Sequence, residues 1–450
     1  MLSFGKKLSY GVGRFGSSLL LALIELSSFY SYSTLFLLDW FVNGMVQAIA
    51  FIVIGLTHWL TGYYSDGVES RYGRRKPFVI VGAPGLAIAI GFLFTPHFFL
   101  PIGSSLLLVQ LLLFVYYLVF LCLFKFFYAF LLTAFQAWLP EIADEQERPL
   151  ISSMQNTANW LGSIIGSVLG FLMAVPGLFI TDNTPTMLLL ILVASFALIE
   201  VLFYLPSIAF IKEKPDLVSP KRSIRAETMT VLRNRNYVGW FLMVGFLSTS
   251  LIAIKGNLIG FIQNVVGLSA FEDVILVALT LIITLMIFLY LWAFLMKRIG
   301  KQRTMIISLL ILAFTLPLTV WVGGVPLDPV LKGVIYFIPI AASMAGYYIM
   351  SYVVPADIIH VDSLVSGSAR AGIYEGFKGV PLNIFQAFSI LLLGFLMQWS
   401  TIQTGSEILG YLWFGPVFTV FVIISIVILL FINIDPDFKA LGERPRGDLG

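Results

Sequence analysis

The sequence predicts an all-α integral membrane protein of twelve crossing helices, divided six and six. Three observations carry that expectation. Of 450 residues, 59% are hydrophobic and only 11% are charged, too few charges to cover a water-exposed surface of this size. Apolar runs of about 20 residues, enough to cross a bilayer as a helix, recur along the whole chain. A basic stretch, Gly62 to Pro77, separates the second run from the third and returns in shorter form between the eighth and ninth. Arg71-x-Gly-Arg-Arg is echoed by Arg298-x-Gly-Lys-Gln, as two related halves require.

Taken in order, the runs fall near 15–38, 42–64, 78–97, 105–138, 151–175 and 186–210, then near 237–265, 271–296, 304–323, 329–353, 371–399 and 408–433. Lys6, Lys7 and Arg14 before the first run superficially fit a secretory signal. The run is too long for one, contains Glu25 and is followed by further spans, so it is expected to remain as the first helix. The polar stretch 212–236, with its prolines and charges, is the one obvious boundary. It divides the chain into an N-terminal six-helix bundle (1–211), a cytoplasmic linker (212–236) and a C-terminal six-helix bundle with its tail (237–450).

Lys and Arg set the orientation. With both termini cytoplasmic, the inner face receives the N-terminal cluster, Arg71 to Lys76, Arg148, the linker, Lys297 to Arg303, Arg370 and the tail; the outer face keeps only Lys332. That asymmetry places the chain in the cell membrane as a multi-pass protein. Gly82, Pro84 and Gly85 in the third run, and Gly379 to Pro381 in the eleventh, predict breaks where helices bend round a cavity. Gly162, Gly166 and Gly170 predict close helix contact in the fifth.

Several classes are excluded. A formal charge of +3, with the basic residues in short connections, does not describe a nucleic-acid-binding surface. No Walker sequence is present, and His58, His97 and His360 are too dispersed for a metal site. The single Cys122 forms no internal disulfide. No cofactor, no metal and no enzymatic activity are expected; the partners are the lipid bilayer and a small-molecule solute.

Six plus six spans, a charged linker and the repeated basic loop resemble the major facilitator superfamily. Leu8-Ser-Tyr-Gly-Val-Gly-Arg-Phe-Gly16, Gly62 to Phe78, Ala137-Trp-Leu-Pro-Glu-Ile142 with Glu147-Arg148, and Gly372-Ile-Tyr-Glu-Gly376 narrow the resemblance. They are similar to the glycoside-pentoside-hexuronide:cation symporters, the melibiose permease group. Ser65-Asp66 with Arg71 to Pro77 also resembles plant sucrose transporters. The resemblance implies the major facilitator fold, a sugar substrate and a coupling cation. The charged residues of the group are nonetheless replaced. Its two helix-two cation carboxylates fall on Ile54 and His58, its helix-one sugar carboxylate on Ser18 and its helix-four carboxylate on Leu132. Its basic residue of helix five falls near Asn156, and its helix-eleven lysine near Asn383.

Ionisable groups inside a membrane cost about 2.5–3.5 kcal/mol each on insertion scales and face a partner or a wet cavity. Glu25 follows Ser18 by seven residues and Lys125 precedes Leu132 by seven, close to two helical turns in each case. Helix one runs outward and helix four inward, so both displacements point outward and predict a Glu25–Lys125 ion pair in the N-terminal half of the cavity. A structural lock between the two helices is the alternative. His58 predicts proton coupling in place of sodium, against a neutral histidine bonded between helices.

Lys255 and Asn257 from helix seven, Asn383 and Gln386 from helix eleven, and Gln136, Asn156, Asn159 and Trp160 from helices four and five offer hydrogen bonds and one stacking face for a polyhydroxylated ligand. Asp66, Arg71, Arg74, Arg75, Glu141 and Glu375 are candidates for an inner gate, against a loop that only fixes topology. Glu200, in a helix peripheral in the resembled fold, reads as a local structural group. The expected function is proton-coupled alternating-access transport of a sugar or glycoside. An amphipathic, drug-like or lipid-like solute is the alternative within transport, and a transport-fold sensor the alternative of another class.

Overall fold

The computed structural model of the protein describes residues 3–68, 70–101, 106–143, 147–172, 178, 180–181, 184–211, 229, 232–268, 270–366 and 379–435. The first crossing is α1 (Phe4–Val12) and α2 (Arg14–Thr34), joined at Gly13. α3 (Trp40–Gly67), α4 (Lys76–Leu93), α5 (Leu107–Ile142), α6 (Arg148–Leu172) and α7 (Met187–Phe210) complete six crossings. Between α6 and α7, Ile180–Thr181 pairs antiparallel with Thr184–Pro185.

The seventh crossing is α8 (Arg235–Phe261), continued by a π-helical turn over Ile262–Val266. α9 (Phe271–Ile299) follows, then a ninth crossing built from α10 (Lys301–Thr315), a tight turn over Leu316–Leu318 and α11 (Thr319–Val322). α12 (Pro329–Ser366), α13 (Gly379–Thr404) and α14 (Ile408–Leu430) close the chain.

Among the described residues, 11 of these crossings are long and apolar enough to span a membrane by length and composition. The exception is α6, where the sequence predicted a run as apolar as the rest. Ser152, Ser153, Gln155, Asn156, Thr157 and Asn159 crowd its first half, so α6 is amphipathic. Gly379 to Pro381 stand in the first described turn of α13, and the residues that precede them lie outside the described residues. Pro84 lies inside a continuous α4.

Small residues decide how closely the helices approach. A Cβ at Gly162 would stand 2.3 Å from the Phe15 carbonyl oxygen, and one at Gly166 2.2 Å from that of Leu19. The partner residues advance in step with the glycines, so α2 and α6 run parallel with backbones in contact. Between the halves, Gly44 meets Ile390 and Gly394, while Gly55 meets Asn383. These contacts run in opposite order along the two chains, so α3 and α13 pack antiparallel over about three turns.

The halves also meet at the end remote from α1. Tyr30 bonds Gln263, and Trp40 Nε1 donates to Glu407 Oε1 at 3.3 Å. Trp40 also stands edge-on to Tyr411 with ring centroids 6.3 Å apart.

Because the α2–α6 contact is backbone against backbone, neither side can give way. Gly166→Val is expected to destabilise the protein by about 1–3 kcal/mol, as overpacking does. Gly91→Ala, in α4, is the matched control: a Cβ there meets nothing within 4 Å. Thermal unfolding in detergent should show a lower midpoint for the first variant only.

Candidate functional site

At mid-membrane one carboxylate is shared by two ammonium groups. Lys255 Nζ of α8 donates to Glu25 Oε2 of α2 at 2.9 Å, and Lys125 Nζ of α5 lies 3.9 Å from Glu25 Oε1. The predicted partner, Lys125, is therefore present, but the closer cation comes from the other half of the chain. Lys125 is 1% exposed, against 20% for Glu25 and 30% for Lys255. Its ammonium sits 4.9 Å from the centre of the Phe51 ring, which supplies the electron-rich face a buried cation needs. The triad is thus closed on the Lys125 side and open on the Lys255 side.

An aromatic-lined cavity lies toward the start of α8, its Val244 eleven residues, or about 16 Å, along the helix from Lys255. The cavity, of about 240 Å³, is lined by Tyr237, Trp240 and Phe241 of α8, Tyr347 and Tyr348 of α12, and Leu382 of α13, among others. Tyr237, Phe241 and Val244 recur at helical spacing along one face of α8, the same face that reaches Lys255. Tyr347 and Tyr348 lie within electrostatic reach of Lys255. Across the gap, Trp160 of α6 stands edge-on to Tyr348 at 6.3 Å between ring centroids and is 38% exposed.

The other expected ligand groups separate into those that face this space and those that do not. Gln136 and Asn156 are exposed, and Gln386 is half-buried. Asn159 Oδ1 accepts from Ser18 Oγ at 2.7 Å, which ties α6 to α2. Asn383 donates to the Gly379 carbonyl at 2.8 Å and packs on Gly55, so it serves the α3–α13 contact. Asn257 is buried, 2% exposed, and neither of its amide atoms meets a partner among the described residues.

His58 Nδ1 lies 2.7 Å from Thr133 Oγ1, and Thr133 in turn donates to the Ala129 carbonyl at 2.7 Å. The single threonine proton is used by that second bond, so the histidine Nδ1–H is the donor to threonine. The imidazole bridges α3 and α5 through that bond, edge-on to Tyr128 at 6.5 Å.

At the end near the termini, Arg75 is buried and donates to Ser65; Arg71 is exposed and donates to its neighbour Tyr72 at 2.6 Å. Gly73, at φ 104, makes the turn that separates Arg71 from Arg74. The side chains of Asp66 and Glu141, and all of Glu375, lie outside the described residues. The echo in the second half is built differently. Gly300, at φ 87, ends α9, and the Lys301 and Gln302 amides donate to Asp435 at 2.8 and 2.9 Å. Lys301 also pairs with Asp357 of α12.

Tyr30, Gln263, Glu407, Asp357, Tyr347 and Tyr348 were missed by sequence reasoning. For the tyrosines a signal existed in the aromatic spacing of α8, which points to an aromatic-lined face. For the inter-half pairs there was none, because their partners lie more than 200 residues away.

Over residues 9–435 the sequence matches the family described as MFS/sugar transport protein. A candidate sulfoquinovose importer of Salmonella typhimurium (strain LT2) is 26% identical over 182 residues, which cover 40% of this chain and 36% of that protein. The chain thus spans about a third of the length of that curated relative. The D-xylose-proton symporter superposes with a TM-score of 0.66 at 12% identity, over 96% of this chain and 97% of that one. The nucleoside transporter NupG gives 0.63 at 16% identity, over 98% and 100%. A bacterial homologue of the human lysosomal transporter Spinster, inward-facing and occupied, gives 0.66 at 13%, over 95% of each. At these identities the likeness is one of fold.

The triad makes an ordered prediction. Glu25→Gln strands two ammonium groups, whereas Lys255→Met leaves Glu25 with Lys125. Melting temperature in detergent should fall from wild type to Lys255→Met and further to Glu25→Gln, the last by roughly 3 kcal/mol as for an uncompensated buried charge. A Glu25→Gln protein that melts with wild type would remove the triad as a stabilising element.

Proposed function

Because the chain belongs to the MFS/sugar transport protein family, matched over residues 9–435, we propose that it is a secondary transporter of the cell membrane. Both termini are cytoplasmic in this reading, and the two halves, 1–211 and 237–450, rock about a mid-membrane sugar site. One observation carries it: Glu25 is held between Lys125 of its own half and Lys255 of the other. An ion pair that bridges the halves is an interaction a bound solute can compete for. A transporter needs this, since a ligand moves a conformational equilibrium only through different contacts in the two states.

The same count of charges selects the solute. Two ammonium groups face one carboxylate, which leaves a net positive charge at the depth where bare charge is most costly. The missing counter-charge belongs to the solute. We therefore read the substrate as a sugar bearing a carboxylate or sulfonate, its anionic group on Lys255 and its ring against the Trp160 and Tyr348 side of the cavity. The similarity to a candidate sulfoquinovose importer supports a sugar of this class. The proton is the driving ion in this reading, since His58 and Ile54 stand where the resembled symporters hold a metal cation with carboxylates.

In proteoliposomes D-glucuronate should be accumulated faster than D-glucose, and accumulation should stop when the pH gradient is collapsed. Lys255→Gln should weaken D-glucuronate uptake by about ten- to a hundredfold, the worth of a charged hydrogen bond. Equal uptake of both sugars would overturn the anionic reading and keep the sugar. Uptake of neither, with transport of a non-sugar solute, would overturn both.

A further inference from the structure

Glu200, midway along α7, is a second carboxyl group inside the membrane and has nothing of the triad's compensation. Its side chain is 0% exposed, and it forms no ion pair among the described residues. Oε1 accepts from Ser17 Oγ of α2 at 2.7 Å, and Ser17 Oγ lies 2.9 Å from the Tyr204 hydroxyl. The one serine proton is used on the carboxyl, so Tyr204 donates to serine and the chain of bonds ends at Oε1. Oε2 meets no hydrogen-bond partner among the described residues. It lies against the backbone of α2: a Cβ on Gly16 would stand 2.4 Å from it.

Among the described residues the surrounding helices place no ion-pair partner on Glu200. α4 carries no titratable group beyond Lys76 at its tip. α1 meets α7 through the Ser9 carbonyl, which accepts from Ser207 at 2.8 Å, and its Lys7 is paired with Glu147 at 2.9 Å. α5 contributes Tyr128, which interacts with Arg14 of α2; these two, Tyr204 and Glu25 are the remaining titratable groups within electrostatic reach of the cluster. Arg14 is engaged with Tyr128 and not with the carboxyl.

We propose that Glu200 is a proton-binding site, and that its proton governs how α2 sits against α7. An ionised carboxylate here would have one hydroxyl donor and otherwise apolar packing, a cost of several kcal/mol. With a proton bound the group is neutral, and the close contact at Gly16 is tolerated. When the proton leaves, the charge is relieved by moving α2 away and admitting water. That motion is transmitted, because Glu25 stands eight residues beyond Ser17 on α2, about 12 Å along the helix, where it holds Lys255 of the other half. The site deepens the proton-coupled reading given above by supplying an acid that takes up and releases the proton.

The test needs no sugar, so its failure and that of the sugar reading are distinguishable. In a Cys122→Ser background, cysteines at Leu106 and Ile402, exposed at the end where the halves meet, carry spin labels that report the separation of the halves. At about pH 5 and about pH 9 the ratio of short to long distances should differ in the otherwise wild-type protein, by at most about tenfold per pH unit for one proton. Glu200→Gln should give the same ratio at both, and should remove one protonated-carboxyl band from the infrared spectrum. Glu200→Asp, which keeps an acid in place, should retain both the band and the shift. A Glu200→Gln protein that loses no such band, or that shifts with pH as wild type does, overturns the proposal, as does Glu200→Asp with a ratio indifferent to pH.

Discussion

Hydrocarbon does not solvate charge, and the placement of every ionisable group within the spans follows from that constraint. Glu25 is where it binds most tightly. The carboxylate is shared by a fully buried Lys125 and a partly open Lys255, at 3.9 and 2.9 Å. The unequal distances have a mechanical meaning. Lys125 belongs to the same half as Glu25 and stays within reach whatever the halves do. Lys255 does not, so separation of the halves transfers the whole carboxylate to Lys125 and leaves Lys255 free. The long pair is the reserve partner that lets the short one break without stranding a charge on Glu25.

Two kinds of glycine contact divide the molecule in the same way. Within the N-terminal half, Gly162 and Gly166 bring α6 onto carbonyls of α2. The nearest approach is to backbone, and the Ser18–Asn159 hydrogen bond joins the same two helices. Between the halves, a Cβ on Gly394 would stand 2.6 Å from the Trp40 carbonyl, but this approach is flanked by Tyr30–Gln263 and Trp40–Glu407. Those polar groups sit at helix ends, where water replaces their partners at little net cost when the contact opens.

The fold was legible because the bilayer imposes it. Length, hydropathy and the basic loops are local properties, and each helix announces itself without reference to its neighbours. The exception is α6, expected as a span over 151–175: Asn156, Asn159 and their neighbours make one face polar, which lowers the apolar signal that defines a span. The candidate site was legible only in its chemistry. Charge inside a span marked Glu25, Lys125 and Lys255, yet the choice between Lys125 and Lys255 as nearer partner depends on how the halves dock, which no periodicity within α2 encodes. Asn383 shows the limit of that chemistry. An amide in a span signals a hydrogen bond, but not whether the partner is a ligand or, as here, the carbonyl one turn earlier.

The repeated basic stretch shows how far the two halves remain equivalent. In the first half Arg75 turns back to Ser65, across the loop that it closes. In the second, the corresponding helix start is held from outside its own loop: the Lys301 and Gln302 amides by Asp435, Gln302 Nε2 by the Leu429 and Ile432 carbonyls, and the Lys301 ammonium by Asp357. An acidic side chain on the first amides of α10 satisfies donors that a helix leaves unpaired and favours its positive end. The shortened echo thus keeps its function by recruiting the end of the last helix, so that α9, α10, α12 and α14 meet at one point. The second loop carries four basic residues, Lys297, Arg298, Lys301 and Arg303, as many as the first, and adds these tertiary contacts.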